Sequence, residues 1–161
     1  LIRSIVFLDH ADRRIRAHPN LNFIIVINPN SGPDGRPYLP DEQYQRAVPY
    51  LQGYPNVKLV GYVKTEYGKR DIEGSKNDID LYWRWDALSK NNSTGPMGLD
   101  GVFVDEVDWE GESSNYFESL CLDIKGRRWR SGKPGTSTRI LSDGWLCDSQ
   151  PRLRFISLSL L

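Results

Sequence analysis

Apolar residues along this chain fall into two patterns. Short unbroken runs alternate with longer stretches in which apolar positions recur every three or four residues. Phe23 to Ile27, FIIVI, is an unbroken run rich in β-branched residues. A strand apolar on both faces is what a parallel sheet needs. Val57 to Val63, VKLVGYV, and Val102 to Val104 are two further runs. Gly61, inside the second, suits a close approach of backbone or ligand. Between the runs lie helical patterns. Tyr44, Ala47, Val48 and Leu51 share one face of a helix over Asp41 to Gln52, which Asp41 caps, Pro49 kinks and Gly53 ends. Ser75 to Lys90 reads as a second helix. Ser75 and Asp78 form a start resembling a capping box, and Ile79, Tyr82, Trp83 and Ala87 form a buried stripe that makes Trp83 a core residue. Tyr116, Phe117, Leu120, Cys121 and Ile124 mark a third helix ending at Gly126, with Cys121 a small core residue. Leu1 to Leu8, apolar with one Arg, reads as a strand or as the scar of an incomplete start, and Asp9 to Pro19 as a short helix around Ile15.

Strands and helices in alternation predict an α/β fold with a parallel sheet and right-handed crossovers. Such folds place their sites where strands end at their carboxyl side. The first strand runs into Asn28-Pro29-Asn30-Ser31-Gly32-Pro33, a dense turn signal that offers amide side chains. The second runs into Lys64-Thr65-Glu66-Tyr67-Gly68-Lys69-Arg70, which carries hydroxyl and cationic groups. Asn28, Asn30, Tyr62, Thr65, Tyr67 and Arg70 are thus candidates for a sugar-binding rim, and plain solvated loops are the alternative. The third strand ends on two adjacent acids, Asp105 and Glu106, and Asp108 and Trp109 close behind are further substrate-binding candidates. A buried carboxylate is costly unless it is paired, hydrogen-bonded or open to a mouth. Perturbed acids gather at active sites but also serve structure, so the same stretch fits a strand ending in a polar turn.

Composition narrows the classes. Lys and Arg number 21 and Asp and Glu 21, which leaves no basic footprint for nucleic acid. No run reaches transmembrane length. Five Trp and eight Tyr suit sugar stacking as well as ordinary packing. Cys121 and Cys147 fit no metal spacing, so neither a metal nor another cofactor is expected. Asn91 and Asn92 begin overlapping glycosylation triplets, which matter only in a secreted chain. The chain opens without Met or a signal-peptide pattern and reads as the start of a fragment or a processed chain. From Arg127 onward the sequence is rich in Arg, Ser and Gly and loses its periodicity. Two regions are therefore expected: a domain over 1–126 and an atypical, poorly packed tail over 127–161.

Four blocks in series, AHPNLNFIIVINPNSGP, VKLVGYVKTEYGKR, DIDLYWRWD and GVFVDE, resemble the spherulin-4 family, also called spherulation-specific family 4. The resemblance covers Ile15 to Asp108. It implies a (β/α)8 TIM-barrel-like fold and kinship with glycoside hydrolase family 135, whose members cut galactosamine-containing exopolysaccharide. It also implies that Asp105 and Glu106 are the catalytic pair. Glycosidic hydrolysis needs carboxyl groups in two different roles, and of the two Glu106 is expected to be the acid and Asp105 the stabilising or orienting carboxylate. Val104 stands where the family has an aromatic residue. A full barrel takes about 250 residues, so a partial barrel is expected, and the family's acid on a later strand has no visible counterpart after Arg127. The expected partner is a polysaccharide, and the full-length family member is expected to be secreted or held at the cell surface. A non-catalytic carbohydrate-binding protein on the same scaffold, and an inactive truncated product, are the competing expectations.

Overall fold

The computed structural model describes residues 2–34, 39–90, 95–108, 113–130 and 138–141. Helix α1 (Ile2–Ala17) leads into strand β1 (Phe23–Ile27), and then α2 (Glu42–Gln52), β2 (Val57–Lys64), α3 (Ile72–Lys90), β3 (Gly101–Asp105), α4 (Ser114–Gly126) and β4 (Thr138–Leu141) follow. The four strands form one sheet in the order β1-β2-β3-β4. Every pairing is parallel, with Ile27 beside Gly61, Lys64 beside Asp105 and Gly101 beside Thr138. Each strand lies next to its predecessor, so the winding never reverses. That order is the one a TIM-like barrel uses and a doubly wound sheet does not. The architecture is α/β, a partial (β/α)8 barrel.

The strands are apolar on both faces because both are covered. Ile25, Ile27, Leu59, Val63, Val102 and Val104 belong to the large core formed with the helices. Ile24, Val26 and Val60 form a second cluster on the opposite face, with Tyr62 and Phe103 packed against it. In a barrel that second face is the interior. Helix α2 follows its sequence pattern: Tyr44, Ala47, Val48 and Leu51 are its buried residues and the Asp41 carboxylate accepts the Gln43 and Tyr44 N–H groups. Pro49 lies within the helix, which runs on through Gln52. Gly61 is needed for packing against a side chain. A Cβ there would sit 2.5 Å from the ring of Tyr82, whose hydroxyl donates to the Ile27 carbonyl at 3.0 Å.

Four expectations are corrected. Leu1 to Leu8 is not a strand, because Ile2–Ala17 is a single helix. Leu8, Ala11 and Ile15 recur at helical spacing on the core side, and that packing outweighs the β-branched residues upstream. Helix α3 begins three residues before Ser75. Its first turn is capped by Asp71, whose carboxylate accepts the Gly74 N–H at 2.9 Å. Ser75 and Asp78 are instead buried members of its inner face, together with Ile79, Leu81, Tyr82 and Trp85. Trp83 is 41% exposed, and Ala87 is exposed as well. Cys121 is half-buried at the margin of α4, not in the core.

The chain after α4 remains tied to the sheet where it is described. Trp129 is buried, Arg130 is ion-paired with Asp100 at 2.7 Å, and Thr138–Leu141 supplies the fourth strand. Asn91 and Asn92, the glycosylation candidates, and Cys147 lie outside the described residues.

Candidate active site

Three strands deliver their polar exits to one end of the sheet. Strand alternation turns Tyr62 and Asp105 to the interior face, where Tyr62 stacks on Phe103 with ring centroids 6.2 Å apart. The Tyr62 hydroxyl donates to Asp105 Oδ2 at 2.8 Å. Burial holds the Tyr62 hydroxyl well above the usual phenol range, and its bond to Asp105 and the charges of Asp105 and Glu106 add to that. It therefore remains a donor throughout the neutral range. Lys64 lies opposite Asp105 in the register and pairs with Glu66 at 3.2 Å. Lys64 was not singled out from sequence, although its place two residues after Tyr62 puts it on the same face of β2.

Glu106 follows the strand in a left-handed conformation, φ 58°. Its Oε2 accepts the Glu66 N–H at 3.1 Å, and its backbone carbonyl accepts the Tyr67 N–H at 2.9 Å. Thr65 is fully buried, and its hydroxyl lies 2.7 Å from both the Asp105 and Glu106 carbonyls. Thr65 thus braces the acidic corner from behind and has no surface to offer a ligand. Glu66 and Tyr67 are also left-handed, at 52° and 57°, and Ser31 has φ 50°. Among the described residues, every non-glycine residue with positive φ lies at a strand's carboxyl end. Such residues each carry about 1–3 kcal/mol of strain and collect at functional sites.

The remaining rim candidates divide. Tyr67 is 57% exposed and presents its ring to solvent. Asn28 uses its side-chain oxygen to accept the Gly32 N–H at 3.2 Å, so it shapes the loop after β1. Asn30 and Arg70 line a polar hollow of about 340 Å3 together with Asp78. Arg70 is pinned there by Asp78 at 2.7 Å and by the Lys64 carbonyl at 2.8 Å. Ser75 is fully buried and shares a hydrogen bond with the Tyr116 hydroxyl at 2.7 Å. Asp108 is half-buried just beyond the acidic pair, and Trp109 lies outside the described residues. In the sequence Asp78 and Ser75 resemble a helix start, and only their burial reveals them as supports of this end. Among the described residues no group of three or more His, Cys, Asp or Glu side chains could hold a metal ion, and no helix is long and apolar enough to cross a membrane.

A sequentially wound parallel sheet with adjacent acids at its carboxyl end defines a TIM-barrel-like protein with an acidic strand-end site. The model of spherulation-specific family 4 matches residues 9–141, and the chain belongs to that family. It is 30% identical over 143 residues to Spherulin-4 of Physarum polycephalum, covering 89% of this chain and 36% of that protein. It superposes with a TM-score of 0.70 and 36% identity on the crystal structure of Aspergillus clavatus Sph3 in complex with GalNAc. That match covers 83% of this chain and 51% of Sph3. The chain therefore spans about half the length of the solved relative and about a third of the curated one.

Proposed function

We propose that the protein is a glycoside hydrolase acting on galactosamine-containing exopolysaccharide through Asp105 and Glu106. The observation that carries this reading is the corner they form. Asp105 faces the barrel interior with Tyr62 as its donor, and Glu106 beside it is set by a left-handed backbone. Glycosidic hydrolysis needs one carboxyl to protonate the leaving oxygen and one ionised group to stabilise or attack the sugar, or to orient the sugar's own amide. Asp105, receiving a neutral hydroxyl, retains lone pairs for an acetamido N–H or for charge developing at the ring. Glu106 has one oxygen on the Glu66 N–H, and its other meets no donor among the described residues, so it can carry the transferable proton. Tyr67, Asn30 and Arg70 form the rim on which the polymer would rest. GalNAc bound by a relative of the same fold supports an amino-sugar substrate. A protein that cuts such a polymer would work outside the cell or on its surface.

The test is release of reducing ends from a galactosamine-containing exopolysaccharide by the wild-type chain, Glu106→Gln and Asp105→Asn, with folding checked by circular dichroism. Each variant should lose about 100-fold or more in turnover. Polymer binding without release by the wild type would replace this reading with that of a carbohydrate-binding protein. Undiminished turnover by Glu106→Gln would remove that residue from the acid role.

A further inference from the structure

At the opposite end of β3 a cleft of about 260 Å3 opens between α3 and the segment after α4. Trp83, Arg84, Leu99, Arg128 and Arg130 are among the residues that line it. We propose that this cleft is a second saccharide-binding site, one that takes a single sugar unit bearing a carboxylate. It is smaller than the pockets of about 300–1,000 Å3 that hold drug-sized ligands, which suits one ring.

Trp83 provides the platform. An indole left 41% exposed is normally a mobile surface group, but this one is held on two sides. Its Nε1 donates to the Arg128 carbonyl at 3.0 Å, and the Arg127 guanidinium sits 5.5 Å from its ring centroid. Arg127 is itself fixed by Asp80 at 2.7 Å and Asp123 at 3.0 Å. A rigid aromatic face with a polar edge is suited to the apolar face of a pyranose.

Charge selects the ligand. Arg84 pairs with Asp80 at 2.6 Å, Arg130 with Asp100 at 2.7 Å, and Asp86 with Lys90 at 2.8 Å. Arg128 is exposed and meets no carboxylate among the described residues. Among the described residues the cleft therefore carries one guanidinium without a counter-charge, attached through its own backbone to the indole that would bear the sugar. A guanidinium matches a carboxylate in two-point geometry. The same surplus repels a protonated amino sugar, so this site and the acidic corner would select opposite charges.

That the ligand is a sugar rests on the carbohydrate reading given above; the position and charge of the cleft do not. The experiment follows the Trp83 indole N–H resonance, assigned with Trp83→Phe, while the chain is titrated with galacturonate, galactose, galactosamine and inorganic phosphate. Galacturonate should give a saturable shift, galactose one about tenfold weaker, and Arg128→Ala should weaken galacturonate about tenfold. Asp105→Asn should leave the titration unchanged, and Arg128→Ala should leave hydrolysis unchanged, which keeps the two proposals separable. The inference fails if galacturonate gives no saturable shift or if Arg128→Ala binds it as tightly. It also fails if phosphate shifts the resonance as strongly as galacturonate, since an anion alone would then suffice.

Discussion

An aspartate stands at each end of β3, and the two are treated in opposite ways. Asp100, just before the strand, is 5% exposed. Its carboxylate accepts two hydrogen bonds from Arg130, at 3.1 and 2.7 Å, and the Leu59 N–H at 2.9 Å. Its charge is cancelled and both oxygens are engaged, so it fastens the loop after α4 to the strand. Asp105, at the other end, is half-exposed and receives the neutral hydroxyl of Tyr62. Residue type and strand are the same, so the difference lies in the partners. A fully matched carboxylate is structural; one matched by a single neutral donor at an open edge remains available to something that arrives from solution.

The largest contrast should come from removing each charge in turn. Asp100→Asn leaves Arg130 facing an uncharged group and should cost about 3 kcal/mol in urea unfolding, whereas Asp105→Asn should cost less than about 1 kcal/mol. Equal losses would erase the distinction between fastener and working group. Tyr62→Phe tests the neutral partner alone. Water can replace the lost hydroxyl at a half-exposed carboxylate, so stability should fall by only about 1 kcal/mol. Under the proposed mechanism hydrolysis should still slow markedly, because Asp105 loses its orientation. A stability loss matching that of Asp100→Asn would make Asp105 a second fastener.

The smallest effect concerns a third carboxylate, Asp12, which is clamped yet accessible. Hydrogen bonds from Tyr50, Tyr54 and Arg16 lower its pKa to about 2. A carboxylate depressed in the folded state adds stability above its unfolded pKa, near 4, and loses it as pH falls towards 2. Asp12→Asn should therefore flatten the stability profile between about pH 4 and pH 2. An acid limb of unchanged slope would show that this clamp does not join α1 to α2 in solution.

The elements readable from the chain are those whose pattern and packing agree. FIIVI reads as a strand apolar on both faces and is buried throughout, and the four apolar residues of α2 are the four it buries. In two helices local signals compete with burial. At the amino end of α1, β-branched residues suggest a strand, while the face bearing Ala11 and Ile15 continues a helix. In α3 two polar residues, Ser75 and Asp78, face inward to serve Tyr116 and Arg70, and polar residues look like a helix start when their partners are distant in sequence. That displacement also exchanged Trp83 for Trp85 in the core. Strand β4 left little trace because TRIL is short and mixed in character, and its pairing with β3 is non-local. At the candidate site the acids were legible as residues. What could not be read was Thr65 as a buried brace, because a hydroxyl's direction depends on a loop that turns through left-handed torsions at Glu66 and Tyr67.

The torsion at Glu106 has a consequence for anyone transplanting this corner. Pleating sends consecutive side chains of a strand to opposite faces, and the left-handed turn at Glu106 departs from that rule, so a plain β-strand ending in the same two letters would aim the second acid differently. The second acid is located by the loop that grips its main chain, and a graft that copied only the strand would carry over the acids without their arrangement. A β-branched residue at 106 would resist the required twist, while glycine or asparagine would accept it and lose the carboxylate.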